Sequence, residues 1–268
     1  NPSAPRPRAT RSCLQKNEML KEKSYKEVAE FYDIVELDGD DQTRLTNELV
    51  MRLLAQAGAY RVHDMACGTG AQAIALHHAG YALTASDLSE AMLRVARRKA
   101  EGLGIAFHKA DMIDVALGTF DAIIAINNGA GHLVPDELAR ALGNASNNLH
   151  PGGVLLFDVF DAQMMRHLPK GPVIDAARSH GDSRYVRYSS FEFDEIAKVL
   201  TVSQATHIQI GFDPLHTFEE SYQLQTYSGQ ELRDMVLDNG FSRVSISDEG
   251  MPDLFGEAGL AHFVACFA

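Results

Sequence analysis

The sequence predicts an α/β protein built around a doubly wound, mostly parallel β-sheet. From residue 61 to 159, short apolar runs alternate with segments whose apolar residues recur at helical spacing. Strict alternation of strand and helix implies right-handed crossovers and therefore a parallel sheet. A turn of small residues, Ala66 to Gly70, follows the first apolar run, where such sheets bind ligands. After Asp161, strand-like stretches follow one another without helices, which indicates a small antiparallel sheet inserted in the C-terminal half.

The predicted elements of the core follow in order along the chain. Short amphipathic helices are expected over 25–35 and 45–54, before the first strand. The core strands are expected over 61–65, 81–86, 104–108, 121–126 and 153–159. The helices between and after them are expected over 71–79, 89–101, 135–149 and 228–238. Strands near Val244 and Phe263 bring the predicted sheet to seven strands.

The chain divides into a tail, a core and an insert. Residues 1–24 begin with a stretch rich in proline and arginine, and we expect them to form a mobile tail. Residues 25–268 are expected to form one domain, in which residues 162–227 form the antiparallel insert. Its strands are predicted over 184–193, 197–210 and 217–226. This insert could cap the crevice at the carboxyl edge of the sheet, or it could pair across a homodimer, and the sequence leaves both open.

Composition and charge narrow the classes of partner. The net charge of −12 argues against a nucleic-acid surface, which needs clustered Lys and Arg. No apolar run approaches the ~20 residues that span a bilayer. The three cysteines, Cys13, Cys67 and Cys266, do not form a disulfide framework, and no metal-ligand spacing is present. We therefore expect a cytoplasmic protein with a small-molecule partner, without a metal and without nucleic-acid or membrane binding.

The turn from Asp64 to Gly70 is the sharpest functional signal. Its glycines permit a tight turn and let a ligand approach the backbone at the start of a helix. Residues 68–73 also fit the G-x-G-x-x-[GA] pattern of dinucleotide sites, with Asp87 at the expected distance for a ribose. Asp64, however, would repel a pyrophosphate and attract a cation. S-adenosylmethionine carries an ammonium and a sulfonium but no phosphate, so it fits this turn better.

Two further carboxylates stand at the ends of predicted strands. Asp87 ends the second strand, where its side chain can accept hydrogen bonds from both ribose hydroxyls. Asp111 ends the third strand, and with Met112 it could bracket an adenine. Each carboxylate could instead cap a turn or a helix. Three of them at three successive strand ends favour one shared ligand.

Four segments together resemble the motifs of a known family. They read D-x-A-C-G-T-G from Asp64, then S-D-L-S-x-x-M-L, A-D-M and F-D-A-I-I. These resemble class I S-adenosylmethionine-dependent methyltransferases, which have a Rossmann-like fold, over about residues 25 to 160. The segment 125–133, the upstream Phe-Tyr-Asp at 31–33 and the insert are similar to glycine and amino-sugar N-methyltransferases. His63 and Asn127 depart from the family pattern, and His63 is interpreted as a structural histidine facing a neighbouring helix.

The resemblance implies where the cofactor is held. The methionine end of the cofactor would contact the turn from Asp64 to Gly70. The ribose would contact Asp87, and the adenine would lie near Leu88, Asp111 and Met112. The cofactor-binding residues expected in full are Tyr25, Asp64, Ala66, Cys67, Gly68, Gly70, Asp87, Leu88, Met92, Asp111, Met112, Asn127 and Asn128.

The chemistry indicates candidates for the acceptor side. Methyl transfer from a sulfonium is a single in-line displacement, so positioning of the acceptor matters most, and an amine must be neutral when it attacks. His132, just beyond the fourth strand, is the first candidate for an acid/base or positioning role. Tyr32 corresponds in the resemblance to an aromatic residue that closes over the cofactor and contacts the substrate amine. Arg187 and Tyr222 in the insert are further expected substrate contacts.

Several alternatives to an amine acceptor stay open at this stage. An O-methyltransferase of a small molecule is the nearest, because the residues do not separate nitrogen from oxygen acceptors. An NAD(P)-dependent oxidoreductase would require the G-x-G-x-x-[GA] match to be the functional motif. The carboxylate of Asp64 argues against this class, and so does the lack of a catalytic Tyr-x-x-x-Lys motif. A non-catalytic cofactor-binding module and a nucleic-acid or protein methyltransferase complete the alternatives, the latter disfavoured by the acidic charge.

Overall fold

The computed structural model describes residues 28–33, 35, 41–247 and 260–268. The predicted tail over 1–24 and Tyr25 lie outside the described residues, so only the later part of the first predicted helix can be compared. There, successive turns form, and the Phe31 N–H donates to the carbonyl oxygen of Val28 at 2.8 Å. No helix in the described ranges is long and apolar enough to cross a membrane.

The described strands and helices agree with most of the predicted elements to within a few residues. The strands are β1 Arg61–Met65, β2 Ala82–Asp87, β3 Ala106–Lys109, β4 Phe120–Ala125, β5 Leu149–Phe160, β6 Val173–His180, β7 Ser183–Asp194, β8 Val199–Ile210, β9 His216–Gln225, β10 Arg243–Ser247 and β11 Ala261–Phe267. The helices are α1 Asp41–Gln56, α2 Ala71–His78, α3 Glu90–Lys99, α4 Pro135–Asn147 and α5 Gly229–Asp238.

The central sheet has seven strands in the described part of the chain, in the order β10-β11-β5-β4-β1-β2-β3. The strands from β5 through β3 pair in parallel, while β11 runs antiparallel to both of its neighbours. The strand order reverses between β1 and β4, because the chain moves outward through β2 and β3 and then returns to the other side of β1. The predicted Rossmann-like, mostly parallel sheet is therefore confirmed.

Helices cover both faces of this sheet. Helices α1, α2 and α3 pack on one face together with Val62 and Ile124, whereas α4 and α5 pack on the other with Ile123 and Phe157. Ile123 and Ile124 are both fully buried, since successive side chains of a strand point to opposite faces. A strand covered on both sides needs apolar residues at every position, which explains the continuous apolar run at the end of β4.

The insert forms a four-stranded antiparallel sheet in the order β6-β7-β8-β9, here called the cap sheet. The alternation pattern predicts β7, β8 and β9 but misses β6. A register shift between Ile174 and Ala176 interrupts the alternation of β6, and the Pro169, Gly171 and Pro172 that precede it read as a loop. A bulge therefore hid the fourth strand from the sequence pattern.

Two apolar clusters hold the cap sheet against the rest of the chain. At one end, Leu200 and Leu224 pack with Met165, which lies in the connection from β5. At the other end, Tyr185 packs with Val35 from the segment before α1. The inward face of the cap sheet between these clusters is polar.

A buried ion pair lies in that polar part. Arg187 on β7 places Nη2 2.9 Å from Oδ2 of Asp175, and their side chains are 8% and 4% exposed. Ser189 donates its hydroxyl to the same carboxylate at 2.8 Å and accepts from Nε2 of Gln204 at 3.1 Å. The pair ties β6 to β7, because Asp175 lies on β6 and Arg187 on β7. Removal of one partner from a buried ion pair is strongly destabilising.

Removal of the Asp175 carboxylate is expected to destabilise the protein. The variant Asp175→Ala removes the carboxylate that accepts from the buried Arg187 guanidinium and from the Ser189 hydroxyl, so the free energy of unfolding should fall by about 3 kcal/mol. Arg166 and Glu195 form an exposed ion pair in the same insert, and Glu195→Ala should cost less than about 1 kcal/mol. Urea unfolding followed by circular dichroism measures both variants, and equal losses would contradict a stabilising role for the buried pair.

Candidate active site

A cavity opens at the carboxyl ends of β1, β2 and β4, where the strand order reverses. Ligands of doubly wound sheets bind at this point. The predicted site residues that line it are Tyr32, Asp64, Ala66, Cys67, Gly68, Asp87, Leu88, Met92, Asp111, Met112, Asn127 and His132. The predicted residues Gly70, Asn128, Arg187 and Tyr222 are described but do not line it, and Tyr25 lies outside the described residues. Thr69 and Gln72 line the cavity although the sequence analysis does not single them out.

The first loop, between β1 and α2, turns through left-handed backbone conformations. Ala66, Gly68 and Gly70 have φ angles of 63°, 52° and 78°. A Cβ atom on Gly70 would lie 3.1 Å from Cβ of Ala96 and 3.2 Å from the ring of Phe107. Gly70 therefore lets α2 pack closely against α3 and β3 and does not face the cavity, whereas Gly68 lines it.

Asp87 at the end of β2 connects two loops around the cavity. Its Oδ2 accepts a hydrogen bond from the Gly68 N–H at 2.8 Å, and its Oδ1 accepts one from the Ser89 N–H at 2.7 Å. An ionised carboxylate offers about four lone-pair sites, so these two bonds leave room for two donors from a ligand. Asp87 can thus hold the first loop in place and also accept from a ribose.

Asp64 is a buried carboxylate at the end of β1. Its side chain is 2% exposed, and Oδ2 has no hydrogen-bond partner among the described residues. Burial, and after it the nearby charge of Asp87, raise the pKa of Asp64 well above its usual range, although the Ala73 backbone N–H donates to the carboxylate. A cationic group of a ligand beside Asp64 would favour its ionised form.

The charge of the lining distinguishes between cofactors. Three carboxylates, Asp64, Asp87 and Asp111, line the cavity, and none of its described lining residues is Lys or Arg. A pyrophosphate would meet repulsion here, while an ammonium and a sulfonium would meet attraction. Leu88 and Met112 flank the acidic groups with apolar surface that suits an adenine. The residues present fit S-adenosylmethionine, and no cluster of three or more His, Cys, Asp or Glu in the described ranges could hold a metal ion.

The N-terminal segment contributes one wall. Tyr32 lines the cavity and packs beside Met92 of α3. Its neighbour Asp33 accepts a short hydrogen bond from the Thr69 hydroxyl and pairs with the ammonium of Lys99. These contacts attach the segment both to the first loop and to the end of α3, so they fix Tyr32 over the cavity.

The loop after β4, here called the fourth loop, forms the opposite wall. Asn127 and Asn128 have left-handed φ angles of 67° and 57°, and a 3₁₀ turn from Gly129 to His132 follows. A Cβ atom on Gly129 would lie 2.9 Å from Cβ of Ala66, so the first and fourth loops touch at this glycine. The contact sets the width of the cavity between them.

His132 and Tyr222 bring the fourth loop and the cap sheet together. Their ring centroids lie 5.9 Å apart with the ring planes inclined by 43°. The Tyr222 hydroxyl donates to Oε1 of Gln204 at 3.4 Å. Tyr222 therefore reaches the edge of the cavity through its contact with a lining residue.

Arg187 does not line the cavity, and the substrate contact expected of it stays a prediction. Its guanidinium is held by Asp175 on β6, and the side chain is buried within the cap sheet. The sequence pattern does not reveal β6, so it could not reveal this carboxylate beside the arginine.

His63 and Asp158 are the polar side chains that β1 and β5 bury besides Asp64. Nε2 of His63 lies 2.9 Å from the Ser86 hydroxyl on the neighbouring strand, and burial lowers its pKa to about 4. Asp158 accepts from the Asn128 backbone N–H at 2.9 Å, and burial raises its pKa to about 7. The sequence analysis misses Asp158, although a carboxylate inside the apolar run of β5 was a visible signal.

The contact between the first and fourth loops can be tested at Gly129. The variant Gly129→Ala places a methyl group against the Cβ atom of Ala66, which the backbone holds in place. We expect a loss of about 1–3 kcal/mol in unfolding free energy together with weaker binding of S-adenosylhomocysteine. In the control Gly143→Ala on α4, the nearest atom to the added Cβ is 3.8 Å away, so stability should hold or rise by up to about 1 kcal/mol. Full retention of stability and binding in Gly129→Ala would contradict this contact.

Comparison with known proteins agrees with this geometry. Residues 62–153 match a family described as "Methyltransferase domain". Rat glycine N-methyltransferase is 35% identical over 140 residues, which cover 45% of this chain and 47% of that enzyme, so the chain spans about half of its length. The crystal structure of Streptomyces venezuelae DesVI has a TM-score of 0.76 at 19% identity, covering 92% of this chain and all of that one. The sugar N-methyltransferase KedS8 of a Streptoalloteichus species has a TM-score of 0.69 at 23% identity, covering 85% and 89%. Residues 62–153 therefore carry a methyltransferase domain, and the residues around its cavity fit S-adenosylmethionine as the cofactor.

Proposed function

We propose that this protein transfers the methyl group of S-adenosylmethionine to an amine nitrogen of a small molecule. The observation that carries the proposal is the position of His132, which lines the cofactor cavity and contacts Tyr222 of the cap sheet. A side chain in this position would lie between a cofactor bound in the cavity and the cap sheet.

The first loop and the strand ends hold the cofactor. Asp64 would attract its ammonium, Asp87 would accept from the ribose hydroxyls, and Leu88 with Met112 would cover the adenine. When bound, S-adenosylmethionine supplies an electrophilic methyl group on a sulfonium. The protein adds no covalent step, because direct displacement needs only a neutral nucleophile held in line.

The residues on the acceptor side keep the amine neutral and aligned. An ammonium has no lone pair with which to attack, so its proton must leave before the transfer. A neutral imidazole has one unprotonated ring nitrogen, so His132 can accept that proton directly or through a water. Tyr32 and Tyr222 approach from the N-terminal segment and the cap, where their rings exclude water and their hydroxyls orient a polar acceptor.

Two features support a small amine over larger acceptors. The cap sheet and the N-terminal segment are tied to each other by the cluster around Val35 and Tyr185, which favours an enclosed acceptor site. The net charge of −12 disfavours nucleic acid. The named relatives that act on glycine or a sugar amine add support by similarity. A cytoplasmic location and a homodimer stay predictions from the sequence.

The assignment of His132 predicts a defined kinetic effect. The variant His132→Gln keeps a polar side chain of similar reach but cannot act as a base, so kcat for an accepted amine should fall by about 100-fold. The dissociation constant of S-adenosylhomocysteine should change by less than about threefold, since the first loop and Asp87 are untouched. Methyl transfer from labelled S-adenosylmethionine to panels of small amines and phenols measures the rate, and calorimetry measures the binding.

The exposed His150 at the start of β5 provides the control, and His150→Gln should keep the wild-type rate. An unchanged kcat in His132→Gln would contradict the proposed role of His132. If only phenols are methylated, the acceptor atom is oxygen and the proposed amine acceptor is wrong.

A further inference from the structure

We propose that Asp158 is a positioning residue that shapes the fourth loop and thereby sets the place of His132. The inference rests on the proposed function, since it concerns how that site is assembled. Asp158 itself does not line the cavity, so it acts through the loop and touches neither cofactor nor acceptor.

The need for Asp158 begins where the ladder between β4 and β5 ends. The last paired residues are Ala125 on β4 and Phe157 on β5. Beyond Ala125 the chain leaves the sheet, so the following backbone N–H groups lose the strand partner that would have accepted their hydrogen bonds. Asn127 and Asn128 carry these groups.

The Asp158 carboxylate replaces the missing strand partner. Oδ2 accepts from the Asn128 N–H at 2.9 Å. Asn128 and its neighbour Asn127 have left-handed φ angles, which L-residues adopt at a cost and keep only when the surroundings hold them there. The hydrogen bond from Asn128 to the buried carboxylate provides that restraint.

The turn held in this way leads directly to His132. Asn128 is the residue before the 3₁₀ turn Gly129–His132, and its side chain lies over Gly131, where a Cβ atom would come within 2.5 Å of Asn128 Oδ1. The short turn leaves no freedom for Asn128 and His132 to move independently of each other. A shift of the Asn128 backbone therefore moves the imidazole.

Burial of a carboxylate at this position opposes folding, which favours a specific role for Asp158. Asp158 is 3% exposed and lies between Phe157 and Val159, which are also buried. Its Oδ1 has no hydrogen-bond partner in the described part of the chain. A hydrophobic residue would suit this position of β5 for stability alone, since burial of a charged group opposes folding.

Two variants separate the hydrogen-bond role from simple filling of space. Asp158→Asn keeps an oxygen that can accept from the Asn128 N–H, whereas Asp158→Leu has a similar size and accepts no hydrogen bond. We expect kcat for an accepted amine to fall by about 10- to 100-fold in the Leu variant, as for a small misplacement of a catalytic group, and to stay within about threefold of wild type in the Asn variant. The S-adenosylhomocysteine affinity of both should stay within about threefold, because Asp64, Asp87 and the first loop are unchanged.

Asp121 supplies a matched control at the opposite edge of the sheet. Its carboxylate also accepts from the backbone, in this case from the N–H groups of Tyr60 and Arg61, at 3.0 and 2.8 Å. Asp121→Leu removes the same kind of contact far from the cavity, so it should leave kcat unchanged.

Backbone hydrogen exchange tests the anchor without reference to activity. The Asn128 amide should be protected in wild type and in Asp158→Asn, and it should exchange at least about tenfold faster in Asp158→Leu. If wild type neither binds S-adenosylhomocysteine nor transfers methyl groups, the proposed function fails, while the exchange data still decide the anchor. An unprotected Asn128 amide in wild type, an unchanged kcat in the Leu variant, or equal losses of kcat in the Asn and Leu variants would overturn the inference. The wild-type and Asn measurements stand even if the Leu variant does not fold.

Discussion

The hydrogen bonds from Gly68 and Ser89 to Asp87 are the interaction around which the site is arranged. They join the loop after β1 to the end of β2 and the start of α3 through one carboxylate. The neighbouring Asp64 is buried a short distance away, and its pKa rises partly because of the Asp87 charge. This crowding of negative charge opposes folding of the empty site and favours a cation in it. The choice of a phosphate-free, cationic cofactor follows from that constraint.

The second half of the site depends on how the fourth loop and the cap approach this acidic centre. Gly129 lets the fourth loop touch Ala66, and Asp158 holds the strained turn from behind. The cap sheet adds Tyr222 against His132. The proposed acceptor side thus combines residues from three separate parts of the chain, each restrained by contacts outside the cavity.

The sequence predicts the core and most of the residues that line the cavity, because both depend on local patterns. Alternating apolar runs determine the parallel sheet, and carboxylates at strand ends are visible one segment at a time. The features that it missed depend on contacts between distant segments. Strand β6 is hidden by its bulge, so the ion pair that keeps Arg187 away from the cavity was hidden as well. Gly70 carries a motif position but serves packing against Phe107, which only the folded chain reveals. The role of Asp158 is visible only in the folded chain, where the Asn128 N–H donates to its carboxylate.

Calorimetric titration of the purified protein with S-adenosylmethionine, S-adenosylhomocysteine and NADH shows whether the acidic cavity binds a cationic cofactor without phosphate groups. We expect saturable binding of the first two at one site per chain and no heat of binding from NADH. Saturable binding of NADH, with no binding of either adenosyl compound, would contradict this expectation.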